Sequence, residues 1–387
     1  MEVIFLKKLV SLAVVVGLLL TGILPVYGAE TIKVGLIAPL TGAIATFGQS
    51  VDKGVRMAVD EINSKGGVLG AKIDLAVEDN QAKAEESANI ARKFIEQNKV
   101  IAIIGPVISS NVLAVAPIAQ QSKVPLITPT GTNPRITQVG NYIFRACFID
   151  DFQGTVMARF AKTGLAKKAN TAAILYEKTS DYSIGLVKYF KESFQSLGGK
   201  IVAEESFSTG DQDFSAQLTK IKGKSPEVLY VPSYYDTAGL IIKQARELGI
   251  MVPILGGDGF DSPQLAELAG KENLKDCYFS GHFFSGSSAP QVKTFVANYK
   301  KRYNAVPDML GALGYDAVYM LADAIKRAGK IDKDAIRDAL ATTKGLKLVT
   351  GTITLDENRN PIKSAVIVGF DSNGNQIYKT TVNPPKK

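Results

Sequence analysis

Residues 32–78 read IKVGLIAPLTGAIATFGQSVDKGVRMAVDEINSKGGVLGAKIDLAVE. They open on an apolar run, 32–38, of the length of a buried strand. From Gly48 to Asn63 the residues Val51, Val55, Ala58, Val59 and Ile62 return on one face, which predicts an amphipathic helix. Gly66, Gly67 and Gly70 then stop the helix and turn the chain into a second strand at 72–78. Strand, helix and strand in this order build a parallel sheet, because parallel neighbours need a crossover between them.

The same unit recurs outward from there. Ala84, Ala88, Ala91 and Ile95 mark a helix, and a strand at 100–104 ends at Gly105-Pro106. A helix is expected from Ser109 and a strand at 124–128. The pattern restarts with a strand at 142–148, a helix at 153–162, a strand at 172–176 and a helix after Asp181 carrying Leu186, Phe190, Phe194 and Leu197. Strands at 201–207, 228–231 and 252–255 alternate with helices marked by Leu218 and Ile221, then by Ile241, Ala245 and Leu248. Helices at 291–303, 313–328 and 334–341 follow, with strands at 352–355 and 365–370 around a turn-rich 356–361. These are too many units for one sheet, and 387 residues suit two lobes. The expected fold class is α/β, with two Rossmann-like lobes built on parallel sheets. No internal repeat is evident.

Composition narrows the function. Apolar residues make up 46% of the chain, as in an ordinary globular protein. The formal charge of +8 is scattered among acids such as Asp60, Glu61, Glu85 and Glu86, with no basic run interleaved with aromatics, so nucleic acid is not an expected partner. Lys7 and Lys8 precede a nearly all-apolar 9–24, Pro25 breaks it, and the small Gly28 and Ala29 follow. Residues 1–29 therefore read as a secretory signal peptide, too short to span a bilayer, and a periplasmic location is expected. No cysteine precedes Cys147, so no lipid anchor is expected. Cys147 and Cys277 form either a disulfide or two buried thiols. With His282 as the single histidine they make no zinc site.

Ligands of open parallel sheets bind beyond the carboxyl ends of the strands, which selects the loops to inspect. The first runs from Pro39-Leu40-Thr41-Gly42 to Phe47-Gly48. In the second, 105–110, a helix begins at Ser109, where free amides and the helix dipole favour an anion, although a plain N-cap serine reads the same way. The third, 128–134, crowds three threonines around Gly131. From the second half come Asp181-Tyr182, Tyr234-Tyr235-Asp236 and Gly257-Asp258-Gly259, where Asp258 suits a cation or is a turn aspartate. Catalytic motifs are lacking: no G-x-S-x-G, no P-loop and no G-x-G-x-x-G after the first strand, and His282 is the only imidazole. No enzymatic activity and no cofactor are expected.

At these loops the chain resembles the type I periplasmic binding proteins, in particular the leucine/isoleucine/valine-binding proteins of ABC importers. The likeness rests on Ile32-Lys33-Val34-Gly35 with Thr41-Gly42, Asp60-Glu61-Ile62-Asn63 with the glycines after it, and Ile127-Thr128-Pro129. It continues in Asp213-Phe214-Ser215, Gln244-Ala245-Arg246 with Gly249, and Tyr315-Asp316-Ala317. The resemblance implies a cleft between lobes joined by a three-segment hinge, closure on a small amino acid, and delivery to an inner-membrane permease by a monomer. It implies lobes of 30–147 plus about 279–365, and 148–278 plus about 366–387. Position by position, Ser109, Thr130 and Thr132 fall where the family holds the α-carboxylate, and Asp258 where an acid takes the α-ammonium. Tyr182 and Tyr234 fall at the far-lobe aromatic positions, Phe47 where some relatives have tyrosine, and Leu310 near a wall of the side-chain pocket. Some relatives have glutamate at Asp258, and Thr130 replaces a smaller residue. Cys147 and Cys277 fall near the first two crossovers, where a disulfide would staple the hinge.

Leucine, isoleucine or valine is the expected cargo. An amide, a urea-like compound or an aromatic acid in the same fold, and a ligand-sensing module, stand as alternatives.

Overall fold

A computed structural model describes residues 31–384; the signal peptide expected at 1–29 lies outside the described residues. The first sheet is fed by β1 (Thr31–Ala38), α1 (Ala45–Ser64), β2 (Lys72–Asp79), α2 (Ala84–Lys93), β3 (Ala102–Ile104), α3 (Ser109–Gln121), β4 (Leu126–Thr128) and β5 (Ile143–Arg145). Its strands are all parallel in the order β2-β1-β3-β4-β5. The second sheet begins with α4 (Asp150–Arg159), β6 (Thr171–Glu177), α5 (Asp181–Ser196), β7 (Lys200–Phe207), α6 (Ser215–Gly223) and β8 (Val228–Tyr230). It continues through α7 (Tyr235–Glu247), β9 (Ile254–Gly256), α8 (Gln264–Ala269) and β10 (Cys277–Gly281). The chain then leaves for α9 (Pro290–Tyr303), α10 (Met309–Ala328), α11 (Lys333–Ala341) and the small hairpin β11 (Leu346–Leu348) and β12 (Gly351–Ile353). It returns as β13 (Ala365–Phe370) and β14 (Gln376–Val382), giving the order β14-β13-β10-β9-β8-β6-β7. The last two strands run antiparallel; the rest of this sheet is parallel.

The amphipathic face read for α1 is the buried one: Val51, Val55, Ala58, Val59 and Ile62 all face the core. The long α10 packs along α1, and two glycines set how closely. A methyl group on Gly54 would lie 1.9 Å from the Gly311 carbonyl oxygen, so the backbones touch where side chains would otherwise hold them apart. That contact returns 290–341 to the first lobe and brings Leu310 beside Phe47. Strand order reverses beside β1 in the first sheet and beside β6 in the second, and these switch points face one cleft.

Some elements differ from expectation. Helix α10 starts at Met309 rather than 313, because Asp308 accepts from the Gly311 amide at 2.8 Å and caps it. Strands β10 and β14 were not foreseen: β10 is five residues with a mixed pattern, and β14 is a largely exposed edge strand. Cys147 and Cys277, considered as a bridge, are both free and buried. The Cys147 thiol donates to the Gly131 carbonyl in the first lobe, whereas Cys277 packs against Arg246, Asn273 and Lys275 at the far end of β10. Among the described residues no helix is long and apolar enough to cross a membrane.

Candidate functional site

The cleft holds about 340 Å³ of space between the lobes, part of it open to solvent. Seven of the eight residues singled out in the sequence line it: Phe47, Ser109, Thr130, Tyr182, Tyr234, Asp258 and Leu310. Val107, Ile108, Met309 and Leu313 complete an apolar middle. Thr132 is buried but does not line the cavity.

One end is built from backbone. Beyond β3 the chain turns at Gly105, where φ is +95° and an added methyl group would lie 2.2 Å from the Ile37 carbonyl oxygen, so only glycine fits. Helix α3 then starts with Ile108 at its cap and no side-chain cap bond. The Val112 amide is the first to bond back, to the Ile108 carbonyl at 3.1 Å, so the amides of Ser109, Ser110 and Asn111 stay open at the positive end of the helix dipole. The Thr130 hydroxyl donates to the Val107 carbonyl at 2.6 Å and Thr128 to Pro106 at 2.7 Å, stitching the threonine loop to the loop before α3. Arg145, fully buried, donates to the Gly131 and Asn133 carbonyls at 2.8 Å each and holds the far side of that loop.

The opposite end is a carboxylate from the other lobe. Asp258 Oδ1 accepts from the Tyr182 hydroxyl at 2.8 Å and from Gln153 Nε2 at 3.2 Å. The Asp258 amide donates to Gln153 Oε1 at 2.8 Å, and Ser280 donates to that same oxygen at 2.9 Å. Asp258 Oδ2 lies 3.1 Å from His282 Nε2. Burial pushes His282 down to about 4, so the ring is neutral at physiological pH and the contact is a neutral donor to a carboxylate rather than an ion pair. Nδ1 has no partner, which fits the tautomer with its proton on Nε2. The Phe148 ring stacks on the imidazole at 3.5 Å.

Tyr182 and Tyr234 stack with centroids 4.8 Å apart, and Phe47 meets Tyr234 edge-on at 5.8 Å from across the cleft. Further contacts join the lobes. Tyr235 donates to the Ala43 carbonyl at 3.0 Å, Thr46 meets Ser262 at 3.1 Å, and Asn133 donates to the Asp181 carbonyl at 2.8 Å. The cleft is closed. Sequence reading missed Gln153, His282 and Arg145, which act behind the lining. Only the isolation of a single histidine among 387 residues pointed to any of them, and it pointed without a partner. No cluster of three or more metal-ligating side chains occurs among the described residues.

An open amide end on one lobe, a carboxylate on the other and apolar walls between them suit a small zwitterion with an apolar side chain. Residues 31–375 match the family described as periplasmic binding protein. The Leu/Ile/Val-binding protein BraC3 of Rhizobium johnstonii is 31% identical over 84% of this chain and 88% of its own. The leucine binding protein LivK of Thermotoga maritima is 40% identical, covers 92% of this chain and 99% of its own, and superposes with a TM-score of 0.87. The branched-chain amino acid transporter substrate binding protein LivJ of Streptococcus pneumoniae, solved with isoleucine, is 35% identical over 92% of this chain and 100% of its own, with a TM-score of 0.85.

Proposed function

The chain belongs to the periplasmic binding protein family, and on that premise we propose that it captures leucine, isoleucine or valine in its interlobe cleft and delivers it to the permease of an ABC importer. The family consists of binding proteins, not enzymes, and its members work outside the cytoplasm. One observation carries the cargo: the polar groups sit at the two ends of the cavity and on different lobes. The amides of the first turn of α3 suit the α-carboxylate, Asp258 the α-ammonium, and Phe47, Leu310, Met309 and Leu313 an aliphatic side chain. Because the charged ends of the ligand join the two lobes, its binding energy favours the closed state over the open one.

The finer parts of the reading are proposals too. Residues 1–29 act as a cleaved signal peptide directing the chain to the periplasm, and the mature protein is a monomer. The lobes divide as 31–147 with 282–364, and 148–281 with 365–384, a shift of a few residues from the expected bounds because β10 runs to Gly281 and β13 starts at Ala365 in the second sheet.

The test is a thermal-shift panel on refolded, ligand-free protein with the twenty amino acids, simple amides and aromatic acids. A ligand at 100 times its dissociation constant adds about 2.7 kcal/mol of stability. Shifts concentrated on leucine, isoleucine and valine are expected. A shift with amides or aromatic acids alone would overturn the cargo and leave the fold.

A further inference from the structure

The closed cleft buries a second carboxylate that the protein does not satisfy. Asp150 is the first residue of α4, where the chain enters the second lobe, and its amide donates to the Thr132 carbonyl of the first lobe at 3.1 Å. Its side chain is completely buried, and neither carboxylate oxygen completes a hydrogen bond of good geometry. The fit around it is tight: a methyl group added to Gly185 would come within 2.6 Å of Oδ2 and 3.3 Å of the Asn133 side-chain nitrogen. Two more buried hydroxyls, those of Thr132 and Tyr230, also lack partners. Thr132 is the neighbour that most favours the ionised form, and Tyr230 lies within electrostatic reach.

Asp150 does not line the cavity itself; it lies beside Thr132, Asn133 and Gly185, next to residues that do. Asp258 and Tyr234, which line the cavity, both feel the charge of Asp150. One helical turn along α4, on the same face, Gln153 holds Asp258 through both its amide and its carboxylate.

A carboxylate in so dry a place is neutralised by a proton or by a cation. Arg145 is a buried cation within electrostatic reach and partly offsets this charge, but its terminal nitrogens bond backbone carbonyls and its Nε, though unpartnered, makes no bond to Asp150. Asp151 and Asp258 add like charge, so burial among these groups pushes Asp150 well above the usual carboxylate range while no cation is present. Asp258 is already engaged three times, twice at Oδ1 and once at Oδ2. A carboxylate offers about four acceptor positions, and an ammonium brings three donors. Asp258 alone leaves the ammonium short of acceptors, and Asp150, with only the Thr132 hydroxyl near it, has acceptor positions to spare.

Building on the amino-acid reading of the cleft, we propose that Asp150 is a second acceptor for the ligand ammonium, reached directly or through one water, with the Thr132 and Tyr230 hydroxyls beside it. Thr132 then serves the ammonium end through Asp150, in place of the carboxylate role that resemblance suggested. The ligand's positive charge, and not a proton, balances Asp150 in the closed complex.

Calorimetric titration of wild-type protein and Asp150→Asn with leucine, in two buffers of different ionisation enthalpy at neutral pH, separates these two states. We expect the variant to bind leucine at least about tenfold more weakly, with no more proton uptake by the wild type than by the variant. Affinity within about threefold of wild type, or about one more proton taken up by the wild type than by the variant, would overturn the inference. Carbon-13 NMR of the Asp150 carboxyl in the wild-type leucine complex needs no variant: an ionised signal supports the inference and a protonated one removes it. A wild-type protein that binds no α-amino acid would sink the cargo reading and this inference with it. Binding by the wild type with an unaffected variant sinks this inference alone.

Discussion

His282 Nε2 lies 3.1 Å from Asp258 Oδ2, and the imidazole reaches that carboxylate from β10's end while Tyr182 and Gln153 hold its other oxygen. The acid that faces the cavity is thus fixed from three elements before any ligand arrives, so little order remains to be imposed when one binds.

Asp258→Ala removes the carboxylate and leaves an ammonium desolvated at that end. The expected loss is about 2–5 kcal/mol of binding free energy, at least tenfold in Kd. Calorimetric titration with leucine checks it, and an unchanged Kd would take Asp258 out of the site.

His282→Leu deletes a donor to a charged group, an interaction of about 1.5–3 kcal/mol, whereas His282→Gln retains an amide donor of similar reach. Leucine affinity is expected to fall in the order wild type, Gln, Leu. Equal affinities for the two variants would deny the imidazole its part in positioning Asp258. The histidine also carries a pH signature. Its native value of about 4 lies below its ordinary 6.5, so the folded protein excludes a proton that the unfolded chain accepts. The stability it contributes is complete above about 6.5 and is lost as pH falls toward 4.

Asp261 has the opposite sign. Its Oδ2 accepts from the Met309 amide at 2.8 Å, and burial, with Asp308 beside it, pushes it up to about 7. The native state here binds a proton more tightly than the unfolded chain, so stability declines as pH rises from about 4 to about 7 and is flat above. Asp261→Asn is expected to flatten this slope in urea melts taken across that range. A slope as steep as wild type would place the proton elsewhere.

Arg145→Met leaves the Gly131 and Asn133 carbonyls without their donor, at about 1–3 kcal/mol per buried unsatisfied group. A lower melting temperature is expected together with weaker leucine binding, since the same loop carries Thr130. A variant that melts lower yet binds as tightly as wild type would confine Arg145 to the scaffold.

Cys147 and Cys277 are buried thiols pushed up to about 12 by burial. Thiol reagents are expected to find neither in the native protein and both after denaturation. A single reactive equivalent, or none, in the denatured chain would contradict two free cysteines.

The sheet-forming alternation was legible because each unit carries its own period: 3.6 in α1, apolar runs in β1 and β3. The loops at the strand ends were legible by the same logic, and six of the seven singled-out residues that line the cavity lie on them, Leu310 on α10 being the exception. Gln153, His282, Arg145 and Asp150 were not. Each acts through a partner far away in the chain, such as Gln153 with Asp258, and no local spacing announces such a pair. Thr132 shows the reverse case. Its place in a hydroxyl-rich loop suggested contact with ligand, while its hydroxyl is buried beside Asp150 and off the cavity wall. The edge strand β14 was hidden because its exposed side chains need no apolar pattern.

The amides of the first turn of α3 have one further consequence. Side chains can be exchanged by mutation, but a backbone N–H persists through every substitution except proline. With the Thr130 hydroxyl tied to Val107, the carboxylate recognition proposed for that end is written in peptide groups and is therefore inherited almost unconditionally. The walls and the acid across the cleft carry no such protection. A lineage built on this scaffold is expected to diversify its cargo while retaining an anionic group at one end, so that an evolutionary search begins with half of each new ligand already solved.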